Sequence, residues 1–244
     1  MTAGGAALAR LLGDARAVTV FTGAGISTEC GVPDYRSPGS PWRAHAPIAF
    51  ADYLADPAMR AEAWRRKFAM DDLYAAARPG RGHRAVARWA AAGRVRAVVT
   101  QNIDGLHGAA AGPDDEIVEL HGVGSHARCL GCGDRHELGP IRSRFESHGA
   151  LPECACGGIV KSASIAFGQS LDPAVLQRAV EASLECDLFV VLGSTLLVRP
   201  AARFPDLARR NGARLAIVNR EPTPLDREAD LVVHADIGDT LDPL

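Results

Sequence analysis

Val95-Arg96-Ala97-Val98-Val99-Thr100-Gln101-Asn102-Ile103-Asp104-Gly105-Leu106-His107 is the stretch that decides how the rest of the chain reads. Its first half is short, apolar and β-branched, which predicts a buried strand over 95–99. Gln101, Asn102 and Asp104 then fall just beyond the carboxyl end of that strand. In an open α/β sheet this is the edge where ligands bind. An amide pair and a carboxylate within four residues can read a carboxamide and a ribose hydroxyl, and Asp-Gly permits a sharp turn. Taken alone, the stretch is also compatible with an ordinary polar strand-to-loop turn.

The totals bound the answer. The 244 residues suffice for one large domain, or one large and one small. Hydrophobic residues make up 47% and charged residues 23%, a balance that supports a packed core. A formal net charge of −2 points to neither a nucleic-acid partner nor a membrane surface. Lys67 and Lys161 are the only lysines against 25 arginines, which reads as compositional bias. No apolar run approaches a membrane span, and the Ala/Leu start lacks the pattern of a signal peptide and reads as a first helix. Six cysteines, four of them in pairs, fit a reducing, cytoplasmic compartment better than a disulfide scaffold.

Ala17 to Thr22 reads as the first strand and runs into Gly23-Ala24-Gly25-Ile26-Ser27. Two glycines allow a tight turn and close approach to a pyrophosphate, with a following helix N-terminus facing the phosphates. The dinucleotide fingerprint is incomplete, because Thr28 stands where its third glycine belongs. Gly31-Val32-Pro33-Asp34-Tyr35-Arg36-Ser37 follows at once, and Pro33 excludes a helix interior there. Further on, Glu119-Leu120-His121-Gly122 ends another short strand with an imidazole, a group that titrates near neutral pH.

These four motifs, in this order, resemble the sirtuins, the NAD-dependent protein deacylases. The resemblance runs from about Val18 to the end, with later echoes at Phe167-Gly168, Gly193-Ser194-Thr195 and Ile217-Val218-Asn219. It implies an α/β fold: a Rossmann-like doubly wound parallel sheet from residues 1–35, 79–122 and 161–244. A small inserted domain from 36–78 and 123–160 would combine a helical part with a zinc module. Alternation of strands with helices independently supports the doubly wound sheet.

The resemblance also assigns roles. NAD is consumed as a co-substrate: nicotinamide leaves, and the acyl-lysine carbonyl oxygen attacks the ribose carbon. His121 acts as general base, and the products are lysine, nicotinamide and 2′-O-acyl-ADP-ribose. Asn102 and Asp104 hold the carboxamide, and Gln101 and Asn102 bracket the ribose, beside Ile103. Gly23, Ala24, Gly25, Ser27, Asp34, Tyr35 and Arg36 line the cofactor loop, while Gly193, Ser194, Thr195 and Asn219 meet adenosine. Ile165, Ala166, Phe167 and Gly168 would pair with an acylated protein substrate by strand addition. Here the chain departs from the family's usual Arg-Pro start and Gly-Glu end, having Lys161-Ser162 and Gly168-Gln169. The oligomeric state is open, a monomer being compatible with the sequence. An ADP-ribosyltransferase or NAD glycohydrolase, and a non-catalytic NAD sensor, are the rival functions.

Cys129-x2-Cys132 and Cys154-x-Cys156 read as a structural four-thiolate zinc site. The single residue within the second pair is tighter than the family's two. A degenerate module, or one drawing on His136, is the alternative. Residues 61–77 predict a helix with Trp64, Phe68, Leu73 and Tyr74 at helical spacing. Family members that favour acidic acyl groups carry a Tyr-x-x-Arg pair on the small-domain helix, and the nearest match here is Trp64-x-x-Lys67, with Arg65 and Arg66 alongside. Cys30, near the cofactor loop, reads as a small packed residue or a reactive thiol.

Overall fold

The computed structural model describes residues 2–34, 40, 46–242 and 244. Six strands form one parallel sheet: β1 (Val18–Thr22), β2 (Val95–Thr100), β3 (Ile117–Glu119), β7 (Leu188–Leu192), β8 (Arg214–Val218) and β9 (Leu231–Val233). Their order is β3-β2-β1-β7-β8-β9. Every residue of β1 and β7 is buried, which explains why both read as continuous apolar or Thr/Val runs. One face packs α1 (Ala3–Asp14), α4 (Arg81–Ala91) and α9 (Ile237–Leu241), through Leu8, Val86, Trp89 and Leu241. The other packs α7 (Pro173–Leu184) and α8 (Phe204–Arg210), with Phe21, Phe189 and Phe204 at its centre.

The chain winds outward in both directions from β1 and β7, so the sheet reverses its order between these two strands. Such a switch point opens a crevice at the carboxyl ends. The loops leaving the two strands cross there almost in contact. A Cβ on Gly25 would lie 2.7 Å from Gly193 Cα, and one on Gly193 (φ +65°) 2.5 Å from the Ile26 nitrogen. Only glycine fits both sides of that crossing.

Three further strands, β4 (Gly122–Cys129), β5 (Arg135–Glu137) and β6 (Val160–Ser164), form an antiparallel sheet in the order β5-β4-β6. It shares a core with α3 (Pro57–Tyr74) and α6 (Leu138–His148), built from Trp64, Phe68, Ala127, Ile141 and Val160. The helix predicted over 61–77 begins four residues earlier. Asp56 caps it, its carboxylate accepting from the Ala58 N–H at 2.7 Å, and Pro57 supplies a first turn that needs no donor.

The expected helix after Gly23-Ala24-Gly25 is absent. Two 3-10 turns, Ala24–Ile26 and Thr28–Cys30, stand in its place, and Gly31 (φ +82°) ends the second ahead of Pro33. Glycine and proline so close together leave no length for a helix to propagate. Among the described residues no helix is long and apolar enough to cross a membrane.

Candidate active site

Gln101 and Asn102 leave β2 at the switch point and bind across it. The Gln101 N–H donates to the Thr22 carbonyl at 3.0 Å, and its side-chain amide donates to Ser194 Oγ at 2.9 Å. The Asn102 side chain is buried and donates to the Gly23 carbonyl and to Ser27 Oγ, both at 3.2 Å. The Ser27 hydroxyl donates to Asp104 Oδ2 at 2.7 Å, while Asp104 Oδ1 accepts from the Leu106 N–H at 2.9 Å. Both carboxylate oxygens of Asp104 therefore have protein partners, and each keeps a lone pair for another donor.

Two buried histidines support this floor from behind, and the sequence reading gave neither a role. The Gly80 N–H lies 3.3 Å from His83 Nδ1 and makes that nitrogen an acceptor. The proton then resides on Nε2, which donates to Ser27 Oγ at 3.3 Å. On the β2 side, the Thr22 hydroxyl donates to the Thr100 hydroxyl at 2.8 Å, and Thr100 Oγ1 accepts the Asn102 N–H at 3.1 Å. His107 Nε2, from α5 (Leu106–Ala110), lies 3.0 Å from Thr22 Oγ1. Burial, assisted by the neighbouring His83, holds His107 down to about 3. Burial also lowers His83, so both rings are neutral at pH 7. The signal that could have found them is a histidine on the first turn of α4 and another closing the Asp-Gly-Leu-His run.

His121 follows β3, half-buried, with Nδ1 2.9 Å from the Gln101 carbonyl oxygen. Burial outweighs that bond and draws the imidazole below its ordinary value. Its own carbonyl accepts the Ile165 N–H at 2.7 Å. Gly122 (φ +68°) comes next, and a Cβ there would lie 2.1 Å from the Ala163 carbonyl oxygen. His121 is thereby tied to the segment after β6. In that segment Ala166 and Gln169 close a turn, Gly168 has φ +81°, and Phe167 is 54% exposed. The Phe167 carbonyl accepts the N–H of Phe50, the first residue of α2 (Phe50–Ala55).

Gly23 is buried, and Ala24, Gly25, Ile103 and Thr195 are half-buried around the crossing. Ser194 and Asn219 are buried, and Asn219 Nδ2 donates to the Glu221 carbonyl at 2.7 Å. Asp34 lies beside Ser40, whose hydroxyl donates to its carbonyl. Tyr35 and Arg36 lie outside the described residues. Trp64 is not at the site: it is 2% exposed and stacks on Phe68 in the core of α3. Lys67 reaches closer. Its Nζ pairs with Asp71 and would stand 3.9 Å from a Cβ on Gly124, whose N–H donates to the Ile103 carbonyl. Cys30 Sγ lies 3.8 Å from His83 Nδ1, and burial raises its thiol.

The sulfurs of Cys129, Cys132, Cys154 and Cys156 all lie within 4.8 Å of one another. The Cys129–Cys156 and Cys132–Cys154 separations are 3.5 and 3.6 Å. Tetrahedral thiolate zinc needs edges of about 3.8 Å, so the donor set fits that metal. The Cys132 and Gly131 N–H groups pull the Cys129 thiol below its usual range, while the neighbouring thiols hold Cys132, and burial holds Cys154, above theirs. The short Cys-x-Cys pair is accommodated by Gly157 (φ +77°) and by Gly158, where a Cβ would strike Cys129 Sγ at 2.5 Å. His136 lies outside this cluster, on β5.

Fold and site together define an α/β protein of the dinucleotide-binding type. The Sir2 family profile matches residues 23–200. NAD-dependent protein deacetylase 1 of Bradyrhizobium diazoefficiens is 52% identical, over 97% of this chain and 93% of that protein. NAD-dependent protein deacetylase 2 of Streptomyces coelicolor is 40% identical, over 93% and 95%. A solved Sir2 structure with a p53 peptide and NAD+ superposes with a TM-score of 0.86 at 31% identity, covering 97% of this chain and 95% of that one. Another, with deacetylated p53 peptide and 3′-O-acetyl ADP ribose, gives 0.87 at 30%, covering 96% and 94%. The chain belongs to the Sir2 family.

Proposed function

We propose that the protein is an NAD-dependent protein-lysine deacylase, acting on acetylated lysines in other proteins. One observation carries this reading: His121, an imidazole with Nδ1 bonded to the Gln101 carbonyl and Nε2 left to accept a proton, is thereby held to the residue that directly precedes Asn102 of the Asn102–Ser27–Asp104 cluster at the switch point. NAD as co-substrate supplies a departing nicotinamide and the ribose carbon that captures the acyl oxygen.

The chain's own groups do the rest. Asn102 and Asp104 orient the carboxamide end, with Ser27 holding the two side chains in one arrangement. Gln101, fixed to Ser194, borders the ribose. We assign Ala24, Gly25, Asp34, Tyr35 and Arg36 to the phosphate side, and Gly193, Thr195 and Asn219 to the adenosine side. His121 Nδ1–H donates to the Gln101 carbonyl, leaving Nε2 as the atom that takes a proton from a ribose hydroxyl. Ile165 to Gly168 offers the edge for the substrate peptide.

We assign residues 1–35, 79–122 and 161–244 to the NAD-binding part and 36–78 and 123–160 to the small part, with β6 (Val160–Ser164) crossing that boundary to pair with β4. Four thiolates leave zinc no open position, so its role is structural. The cytoplasm is the compartment we assign, from the reduced cysteines.

The test is a panel of acyl-lysine peptides with NAD, following nicotinamide release and the nucleotide product together. Stoichiometric O-acyl-ADP-ribose and free lysine support the reading. Free ADP-ribose or an ADP-ribosylated protein would replace it with hydrolysis or transfer, and no NAD turnover would leave a sensor.

A further inference from the structure

Lys161, in β6, is 6% exposed, and among the described residues no carboxylate pairs with it. Burial alone draws its amine down to about 8, so at pH 7 it is still an ammonium. A buried cation without a carboxylate partner is less favourable than an apolar side chain of the same volume. Folding alone gives no reason to keep one here.

What the ammonium touches supplies a reason. Nζ donates to the Ser162 carbonyl at 3.1 Å and, more closely, to the Ser164 carbonyl. Ser164 is the last residue of β6 and sits opposite Gly122. The next N–H, that of Ile165, donates to the His121 carbonyl. Between the Ala127–Ser162 and Gly122–Ser164 pairs the ladder changes register, so the strand reaches the base without regular cross-strand bonds. Charge-assisted bonds are about twice as strong as neutral ones and suit a carbonyl stranded at such a break. The Ser162 and Ser164 hydroxyls, 3.2 Å apart, face each other rather than this gap.

We propose that Lys161 is a positioning residue for the protein substrate: its ammonium fixes the end of β6 and so sets the Ile165–Gly168 edge against which the acylated peptide docks. The inference rests on the deacylase reading and goes beyond it in naming what holds the docking edge. It makes Lys161 matter for peptide and not for NAD, whose proposed contacts lie on the loops after β1, β2, β7 and β8.

The experiment compares wild type, K161M and K161R by steady-state kinetics and by direct binding of an acetyl-lysine peptide and of ADP-ribose. K161M should raise the peptide KM and Kd by about tenfold while leaving the NAD KM and ADP-ribose Kd within about twofold. K161R, which restores a cation, should return the peptide values to within about threefold of wild type. If K161M does not fold, K161Q, which keeps N–H donors without charge, carries the same comparison. Equal losses for peptide and nucleotide, or a lower Tm with unchanged peptide affinity, would overturn the inference alone. A wild-type protein that binds no acetyl-lysine peptide would overturn the functional reading and this inference with it.

Discussion

His121 Nδ1 and the carbonyl oxygen of Gln101 stand 2.9 Å apart, so the ring has its proton on Nδ1 and a lone pair on Nε2. Burial disfavours the imidazolium, which places the folded-state value below the ordinary 6.5. The working form is neutral, so kcat/KM should be flat as pH rises through 7 and 8 for this group. It should fall only on an acid limb below 6.5. His121→Ala should lose at least about a hundredfold in kcat while ADP-ribose still binds. Near-normal turnover of that variant at pH 7.5 would show that His121 is not the base.

Asn102 and Asp104 share Ser27 and sit at the end assigned to the carboxamide. Asn102→Ala and Asp104→Ala should therefore weaken nicotinamide inhibition and base exchange more than ADP-ribose binding. Calorimetry with each ligand checks this, and equal losses would move both residues to folding or to the pyrophosphate.

Metal analysis of the purified chain should find zinc bound by the four cysteines. Replacing Cys129 or Cys154 should cost at least about 3 kcal/mol, a Tm fall of roughly 6–12 °C for a chain of this size. A metal-free protein of undiminished Tm and activity would remove the site.

Among the described residues, Lys67 is the cation that stands beside Gly124, and Asp71 already neutralises it. An ammonium cannot form a bidentate clamp on a carboxylate, and Trp64 has no hydroxyl to offer. Acetyl-lysine should be preferred to succinyl-lysine in kcat/KM by about tenfold or more, and Asp71→Asn should narrow that ratio. A succinyl preference in the wild type would refute this.

His107 links stability to pH. The unfolded chain takes up a proton near 6.5, whereas the folded ring stays neutral down to about 3. In that window the unfolded state binds more protons, so stability falls as pH falls, by up to about 1.4 kcal/mol per pH unit from this group. Denaturation midpoints measured between pH 7 and 5 should show a shallower slope in His107→Gln. An unchanged slope would mean that the ring is protonated in the fold.

Strands β1, β2, β7 and β8 were legible because buried parallel strands announce themselves as apolar runs. The glycine turns and paired cysteines were legible because their chemistry is local in sequence. His83 and His107 were not, since each acquires its meaning from a hydroxyl 56 or 85 residues away. Lys161 looked like a mere departure from Arg-Pro, because neither its burial nor its lack of a carboxylate partner is written in its neighbours. Trp64 stood nearest to the specificity pair by spacing, yet its indole turned into the core, where Phe68 and Val160 offered more apolar contact than solvent did.

The backbone at Gly122 has a consequence for how the enzyme can change. Gly122, the residue after His121, leaves no room for a side chain between itself and Ala163, on the strand that leads to the proposed docking edge. Alanine there is chemically inert, but it would act as a spacer, its Cβ lying 2.1 Å from the Ala163 oxygen and so forcing the two apart by about 1 Å. His121 and the 165–168 segment, the proposed base and docking edge, are held to a common gauge by an absent side chain. Variation in this protein can reshape what that edge presents far more easily than it can alter the gap.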